Sequence, residues 1–272
     1  MISNPHSFSI YLSGLASQAD YLFHPAKYNA RKLKTAICTL PAPQKPVKED
    51  YVQLSAVKMH YFVYGAGAQP LILVHGNACD AGALAKAAAY LANDYTVYVP
   101  ESRCHGKSSD TDRITYHLMA RDLKEFIAAL RLEKPIIIGH SDGAINAITL
   151  AADYPEVPKA IIACGANSSP AQFKHYFTLF VKLGGISKNK KLNELMLTQP
   201  HFTPKYLAHI TCPAYIVSGQ FDIMWNADTA FIAAHIPGSD MVILKGENHS
   251  SYIMENGKKA YILARKWLRK IQ

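Results

Sequence analysis

Three polar side chains in this chain have the types and the sequence context that acyl transfer needs. The first is Ser141. A β-branched run, Ile136-Ile137-Ile138, leads straight into Gly139-His140-Ser141-Asp142-Gly143, and a small-residue helical pattern follows. A serine attacks a carbonyl only if its Oγ stands clear of the sheet, so the chain must turn sharply and leave it at a strained tip. Gly139 and Gly143 flank that tip, where a Cβ is expected to collide with the neighbouring strand and helix. Such a serine needs a base, an orienter for the base, and donors for the oxyanion. The orienting acid should follow a late strand, where Ser218-Gly219-Gln220-Phe221-Asp222 supplies Asp222, with Asp228 as fallback. The base should follow the last strand, where Lys245-Gly246-Glu247-Asn248-His249 supplies His249. Its competitors are His75 and His105, which read as structural, and His140, which lies inside the turn and is expected to point away from the nucleophile. The oxyanion donors are backbone amides. One is Asp142, at the start of the helix after the serine. The other is Asn77, in the loop after the strand Leu71–Val74, with Ala78 as second choice.

Strands alternating with helices must position these groups. Tyr51–Leu54 and Lys58–Tyr64 read as antiparallel strands, and 71–74, 96–99, 135–139, 160–164, 214–218 and 241–244 as further strands. Helices are expected over 82–92, 116–131, from the serine to Pro155, 226–235 and 256–270. Met119, Leu123, Phe126, Ile127 and Leu130 form one apolar face of the second, and Tyr261, Ala264, Leu268 and Ile271 that of the last. This alternation indicates an α/β fold with a mainly parallel sheet covered on both faces. Residues 166–211 break it, being too long for an ordinary connection. They hold six lysines and one acid, Glu194, and read as a small helical cap over the carboxyl edge of the sheet. Within them Phe173, Tyr176, Phe177, Phe180 and Val181 form an aromatic stripe, read first as contact between cap and body. Before the body, Pro41-Ala42-Pro43-Gln44-Lys45-Pro46 is a stiff extended connector. The domain division is therefore a helical extension with connector over 1–47 and the catalytic body over 48–272.

Over about residues 50–272 the chain resembles the α/β-hydrolase superfamily. The matched elements, in order, are His75-Gly76-Asn77, Arg103-Cys104-His105-Gly106-Lys107-Ser108, the Gly139–Gly143 turn, Gly219-Gln220-Phe221-Asp222 and Gly246-Glu247-Asn248-His249. The resemblance implies an eight-stranded, mostly parallel sheet flanked by helices, with a small helical cap after the sixth strand. Two departures stand out: Cys104 replaces the usual glycine of Arg-Gly-His-Gly, and the leading 45 or so residues have no counterpart in the family core. Ser141-Asp142-Gly143, with Gly165-Ala166-Asn167, is also similar to small bacterial carboxylesterases and the biphenyl-hydrolase-like group, some of which act on amino-acid esters. The Asp142 carboxylate could then hold a substrate ammonium, or simply complement the helix dipole. The expected activity is that of a serine hydrolase cleaving small to medium carboxylic esters through an acyl-enzyme, with no cofactor and no metal. Thioesters, amides, monoacylglycerols, carbon–carbon bond hydrolysis and non-catalytic ligand binding on the same fold stay open.

Composition narrows the partners. Twenty-nine basic against twenty acidic residues leave +9, read as a basic enzyme with a small-molecule substrate, because no nucleic-acid motif accompanies the charge. The five cysteines (38, 79, 104, 164, 212) are odd in number and widely spaced, as expected of reduced thiols in a cytoplasmic protein. No apolar run approaches the ~20 residues of a membrane span. Residues 7–19 are mildly apolar but lack a basic leader and read as no signal peptide, and contact of residues 1–40 with a membrane surface stays open. His105-Gly106-Lys107-Ser108 ends like a phosphate loop, but Glu101 stands where its first glycine belongs, so nucleotide binding is rejected. Oligomeric state leaves no signature in the sequence.

Overall fold

The computed structural model describes residues 41–271, so the readings of a leading helical extension and of membrane contact through residues 1–40 lie outside the described residues. Eight strands form a single sheet in the order β1-β2-β4-β3-β5-β6-β7-β8. They are β1 (Pro46–Gln53), β2 (Lys58–Tyr64), β3 (Pro70–Val74), β4 (Thr96–Pro100), β5 (Ile136–His140), β6 (Ala160–Cys164), β7 (Ala214–Phe221) and β8 (Asp240–Asn248). β1 and β4 both run antiparallel to β2, and every other pairing is parallel. Pro46 opens the edge strand β1, so the proline connector joins the sheet itself. A proline is tolerated there because the first residue of an edge strand owes no N–H to the ladder.

β5 and β6 are buried along their whole length, which explains why they read as unbroken apolar runs. On one face of the sheet lie α2 (Tyr116–Ala129) and α3 (Asp142–Asp153); on the other lie α1 (Ala85–Leu91) and α8 (Gly257–Leu268). The expected helix 82–92 thus begins as a 3-10 turn over Ala81–Leu84, with the Asp80 side chain accepting from Gly82 N. α2 is capped by Thr115, whose hydroxyl accepts from Leu118 N, and it buries Met119, Leu123, Phe126 and Ile127. α8 turns Tyr261, Ala264 and Leu268 into the core, but Ile271 lies past its last residue and is exposed. Among the described residues no helix is long and apolar enough to cross a membrane, and the four described cysteines are free.

Between β6 and β7 the chain forms α4 (His175–Lys182), α5 (Lys190–Thr198) and α6 (Pro204–Leu207), and α7 (Asn226–His235) then leads to β8. The aromatic stripe of this segment divides. Phe173 and Val181 are buried with Met196 and Met224, and Phe177 packs against them, whereas Tyr176 and Phe180 face outward. A one-residue offset on α4, about 100° around the helix, separates Tyr176 and Phe180 from Phe177 and Val181, so one sequence stripe serves two surfaces. Its lysines also divide. Lys174 Nζ donates to the Asp222 carbonyl at 2.6 Å and Lys191 Nζ to Asp110 at 2.7 Å, whereas Lys182, Lys188, Lys190 and Lys205 are exposed.

Candidate active site

The turn after β5 is as tight as its sequence implies. Ser141 sits at φ 55° and ψ −120°, between a strand and a helix, a region that costs a side chain about 1–3 kcal/mol. Close approach explains the flanking glycines. A Cβ on Gly139 would lie 2.0 Å from Gly143 O, and one on Gly143 would lie 2.0 Å from Val74 O. Ser141 N donates to Cys164 O at 2.8 Å, tying the tip to β6.

His249 follows β8, and its Nδ1 lies 2.7 Å from Asp222 Oδ1. The Asp222 carboxylate also accepts from Ile223 N at 2.8 Å and Gly219 N at 3.2 Å. Burial works to raise its pKa, but the adjacent imidazole and the Gly219 N–H outweigh it and hold the carboxyl below its ordinary value. The fallback acid, Asp228, faces elsewhere. It accepts from Ser168 N at 2.7 Å and Ser168 Oγ at 2.5 Å, fixing α7 to the loop after β6, and burial pushes its carboxyl up to about 7. Gly165, at φ 69°, lets that loop pass beneath the imidazole: a Cβ there would stand 2.8 Å from His249 Cε1.

Ser141 and His249 line one cavity of about 510 Å³, together with Gly76, Asn77, Tyr176, Met196 and Phe221. Among the described residues no hydrogen bond joins Ser141 Oγ to His249. Such a bond commonly tightens only when substrate is bound. The amides of Asn77 and Asp142 are bonded to no described acceptor; Asp142 N opens α3 directly after the serine, and Asn77 lines the same cavity as Ser141. Ala78, the second choice, has φ 54°.

The Asp142 side chain turns away from the cavity wall. Its carboxylate accepts from Asn77 Nδ2 at 2.9 Å and from the Tyr116 hydroxyl, and burial raises its pKa to about 6 against those two donors. Asn77 Nδ2 also reaches Leu192 O at 3.0 Å, so one side chain links the β3 loop, the start of α3 and α5. Tyr116 was hidden in an ordinary helical pattern, and nothing in the sequence pointed to this contact. Cavity wall residues Ile186, Ile223, Met254 and Glu255 were likewise missed. Phe221 alone had a local signal, its place beside Asp222.

The remaining histidines differ from one another. His75 Nδ1 donates to Gly76 O at 2.8 Å while its Nε2 accepts from Ser102 N at 3.0 Å, so it braces loop backbone. His105 donates to Arg103 O at 2.8 Å and is held neutral, burial lowering its pKa to about 4. His140 does not point away from the nucleophile. Its ring lies 4.7 Å from that of His249, centre to centre, and its Nε2 donates to the His249 carbonyl at 2.8 Å. Burial, then the neighbouring imidazole, lowers its pKa to about 3, which keeps it neutral. Glu101 is buried beneath the loop that mimics a phosphate site, accepting from Lys107 N at 2.5 Å and lying 2.9 Å from His60 Nδ1. A carboxylate therefore occupies the position a phosphate would need. Cys104 takes φ 63°, the left-handed backbone that accounts for the glycine usual there.

Residues 69–206 match the alpha/beta hydrolase fold family. Serine hydrolase BPHL of Homo sapiens is 24% identical over 242 residues, covering 74% of this chain and 80% of that protein. A 2-hydroxy-6-oxononadienedioate/2-hydroxy-6-oxononatrienedioate hydrolase of Paraburkholderia phymatum is 30% identical over 147 residues, 51% of each chain. The chain spans only 43% and 41% of the length of the first curated relatives it matches, from Haemophilus influenzae and Schizosaccharomyces pombe. Among solved structures, carboxylesterase CesB of Bacillus subtilis superposes with a TM-score of 0.72 at 17% identity, over 94% of this chain and 98% of that one. Strand order, a serine at a strained strand–helix turn and a family match over half the sequence agree: the chain belongs to the α/β-hydrolase fold family.

Proposed function

We propose that this protein is a serine hydrolase that cleaves carboxylic esters of small to medium size through an acyl-enzyme, with Ser141 as nucleophile, His249 as base and Asp222 as orienter. The observation that carries this reading is the 2.7 Å His249–Asp222 contact beside a cavity that His249 shares with Ser141. His249 Nδ1–H donates to Asp222, which leaves Nε2 free to take the Ser141 proton as Oγ attacks the ester carbonyl. The amides of Asn77 and Asp142 receive the developing oxyanion. Collapse of the tetrahedral species expels the alcohol, protonated by His249. Water activated by the same imidazole then releases the acid and restores the serine.

In the same reading residues 48–272 form the catalytic body, and the β6–β7 segment, contributing Tyr176, Phe177, Ile186 and Met196 to the cavity, serves as its cap. The wall disfavours an anionic ester, since it carries the Glu255 carboxylate. Among the described residues it carries no lysine or arginine, so a substrate with two carboxylates, such as the dioates named for the Paraburkholderia relative, meets no cation there. Asp142 is not on that wall, so its carboxylate acts within the protein, bracing the oxyanion loop, rather than on a substrate ammonium.

The test is a panel of carboxylic esters, thioesters and amides, run on the wild type and on Ser141→Ala, with fluorophosphonate labelling of both. Ester turnover and labelling should occur in the wild type and vanish in the variant. Labelling at Ser141 without turnover of any ester would favour a binding protein, and undiminished turnover by Ser141→Ala would refute the assignment.

A further inference from the structure

α4 is apolar on both sides. Its inner side packs on Met196 and Met224 through Phe177 and Val181, beside Phe173 just before the helix. Its outer side carries Tyr176, Leu179, Phe180 and Leu183, spaced three, four and seven residues apart along one stripe of the helix. These are 62%, 58%, 48% and 78% exposed, and Phe221, across the cavity mouth, is 63% exposed. Five of the eight large apolar side chains that the described residues leave exposed thus gather in one place, against the tendency of such residues to scatter singly. Tyr176 and Phe221 belong both to this patch and to the cavity wall, so the patch runs into the mouth.

The segment that carries the patch is predominantly basic, with Glu194 on α5 and Glu255 on the cavity wall as exposed acids. Lys182, Lys188 and Lys190 are exposed and form no ion pair with a described residue. The only acid between residues 166 and 211 is Glu194. Two such faces brought together would set lysine against lysine, so a second copy of this chain is a poor occupant. Anionic lipid satisfies both features, since headgroups meet the lysines while the stripe enters the boundary with the acyl chains.

We propose that the outer face of α4 docks on an anionic lipid surface and presents the cavity mouth to it. Resting on the hydrolase reading above, the favoured substrates are then acyl esters dissolved in that surface, which reach Ser141 past Tyr176 and Phe221.

The test uses the full chain and vesicles of phosphatidylcholine with or without phosphatidylglycerol, read by co-sedimentation. The wild type should partition to vesicles containing phosphatidylglycerol and dissociate as salt rises. The triple variant Leu179→Ser, Phe180→Ser, Leu183→Ser should lose at least about tenfold in partitioning. The variant Lys182→Glu, Lys188→Glu, Lys190→Glu should lose about fivefold per lysine. Both should hydrolyse a short water-soluble ester like the wild type, since none of these side chains lines the cavity. The proposal is overturned if the wild type ignores the vesicles, or if both variants bind them unchanged. It also fails if removal of residues 1–40 alone abolishes binding, or if the apolar variant instead dissociates a dimer formed without lipid. Binding does not use Ser141, so a protein that docks but hydrolyses no ester would sink the hydrolase reading and leave the docking surface standing.

Discussion

Replacing Asp222 by asparagine changes one atom of the proposed relay and its charge. Three N–H groups converge on the carboxylate: His249 Nδ1 and Ile223 N on Oδ1, and Gly219 N on Oδ2. An amide can offer an oxygen to only one side. With its oxygen in the Oδ1 position, its NH2 meets the Gly219 N–H head on. Flipped, it donates to His249 Nδ1 and drives the ring proton to Nε2, where it blocks acceptance from Ser141. The charge is lost in either case. The contact is 2.7 Å. With charge centres about 4 Å apart and an effective dielectric of about 20, the carboxylate stabilises an imidazolium by about 4 kcal/mol. That corresponds to about 10³-fold in rate, and the wrong tautomer carries the loss toward about 10⁴-fold. The prediction is a fall of this size in kcat, with KM within about threefold because Asp222 does not line the cavity. Steady-state hydrolysis of p-nitrophenyl acetate measures it, with thermal unfolding as the check on folding. Asp228→Asn, read in the same assay, should stay within about threefold of wild type, since that carboxylate serves Ser168. If folded Asp222→Asn retained more than a tenth of wild-type kcat, or if Asp228→Asn were the more damaging, the assignment of the orienting acid would be wrong.

Other consequences follow from single contacts. Gly165→Ala pushes a Cβ toward the His249 ring at a left-handed backbone position, so kcat should fall about 10–100-fold and stability by about 1–2 kcal/mol. Gly238→Ala shares the left-handed backbone but meets no neighbour within 4 Å, so it should show the stability loss and keep kcat. The Asp228 carboxyl, held at about 7 against a reference of 3.8, binds its proton more tightly folded than unfolded. Its contribution to stability is therefore full below about pH 4 and is lost as pH rises through about 7, by about 3–5 kcal/mol. Urea unfolding of wild type and Asp228→Asn at pH 5 and pH 8 should show the wild type losing ground at the higher pH. Asp122 takes both Arg103 Nε and Nη2, at 2.6 and 2.7 Å, in a buried pair. Asp122→Ala strands the guanidinium and should cost about 3–5 kcal/mol in the same measurement, and a loss under 1 kcal/mol would count against burial of that charge.

The elements that a local pattern specifies were open to reading from residues alone. An apolar strand, a five-residue turn with small residues at its ends and a helix behind it determine where Ser141 must stand, because the constraints act within a few residues of one another. The parallel core strands were legible for the same reason, since burial on both faces leaves nothing polar in them. Choices between groups far apart in the chain were not. Asp222 and Asp228 both follow β7, and only the packing of α7 on the loop after β6 turns one to Ser168 and the other to His249. His140 read as pointing away because its neighbours in sequence are strand and helix. Its partner lies 109 residues later, where β8 delivers His249 beside it. The aromatic residues of α4 were visible as a stripe, but which of them face inward depends on the angle at which that helix lies over Met196 and Met224. Periodicity along a chain encodes that a residue has a side to face. What it faces is set by elements that meet only after the sheet has closed its order of strands, and that information is spread over the whole fold.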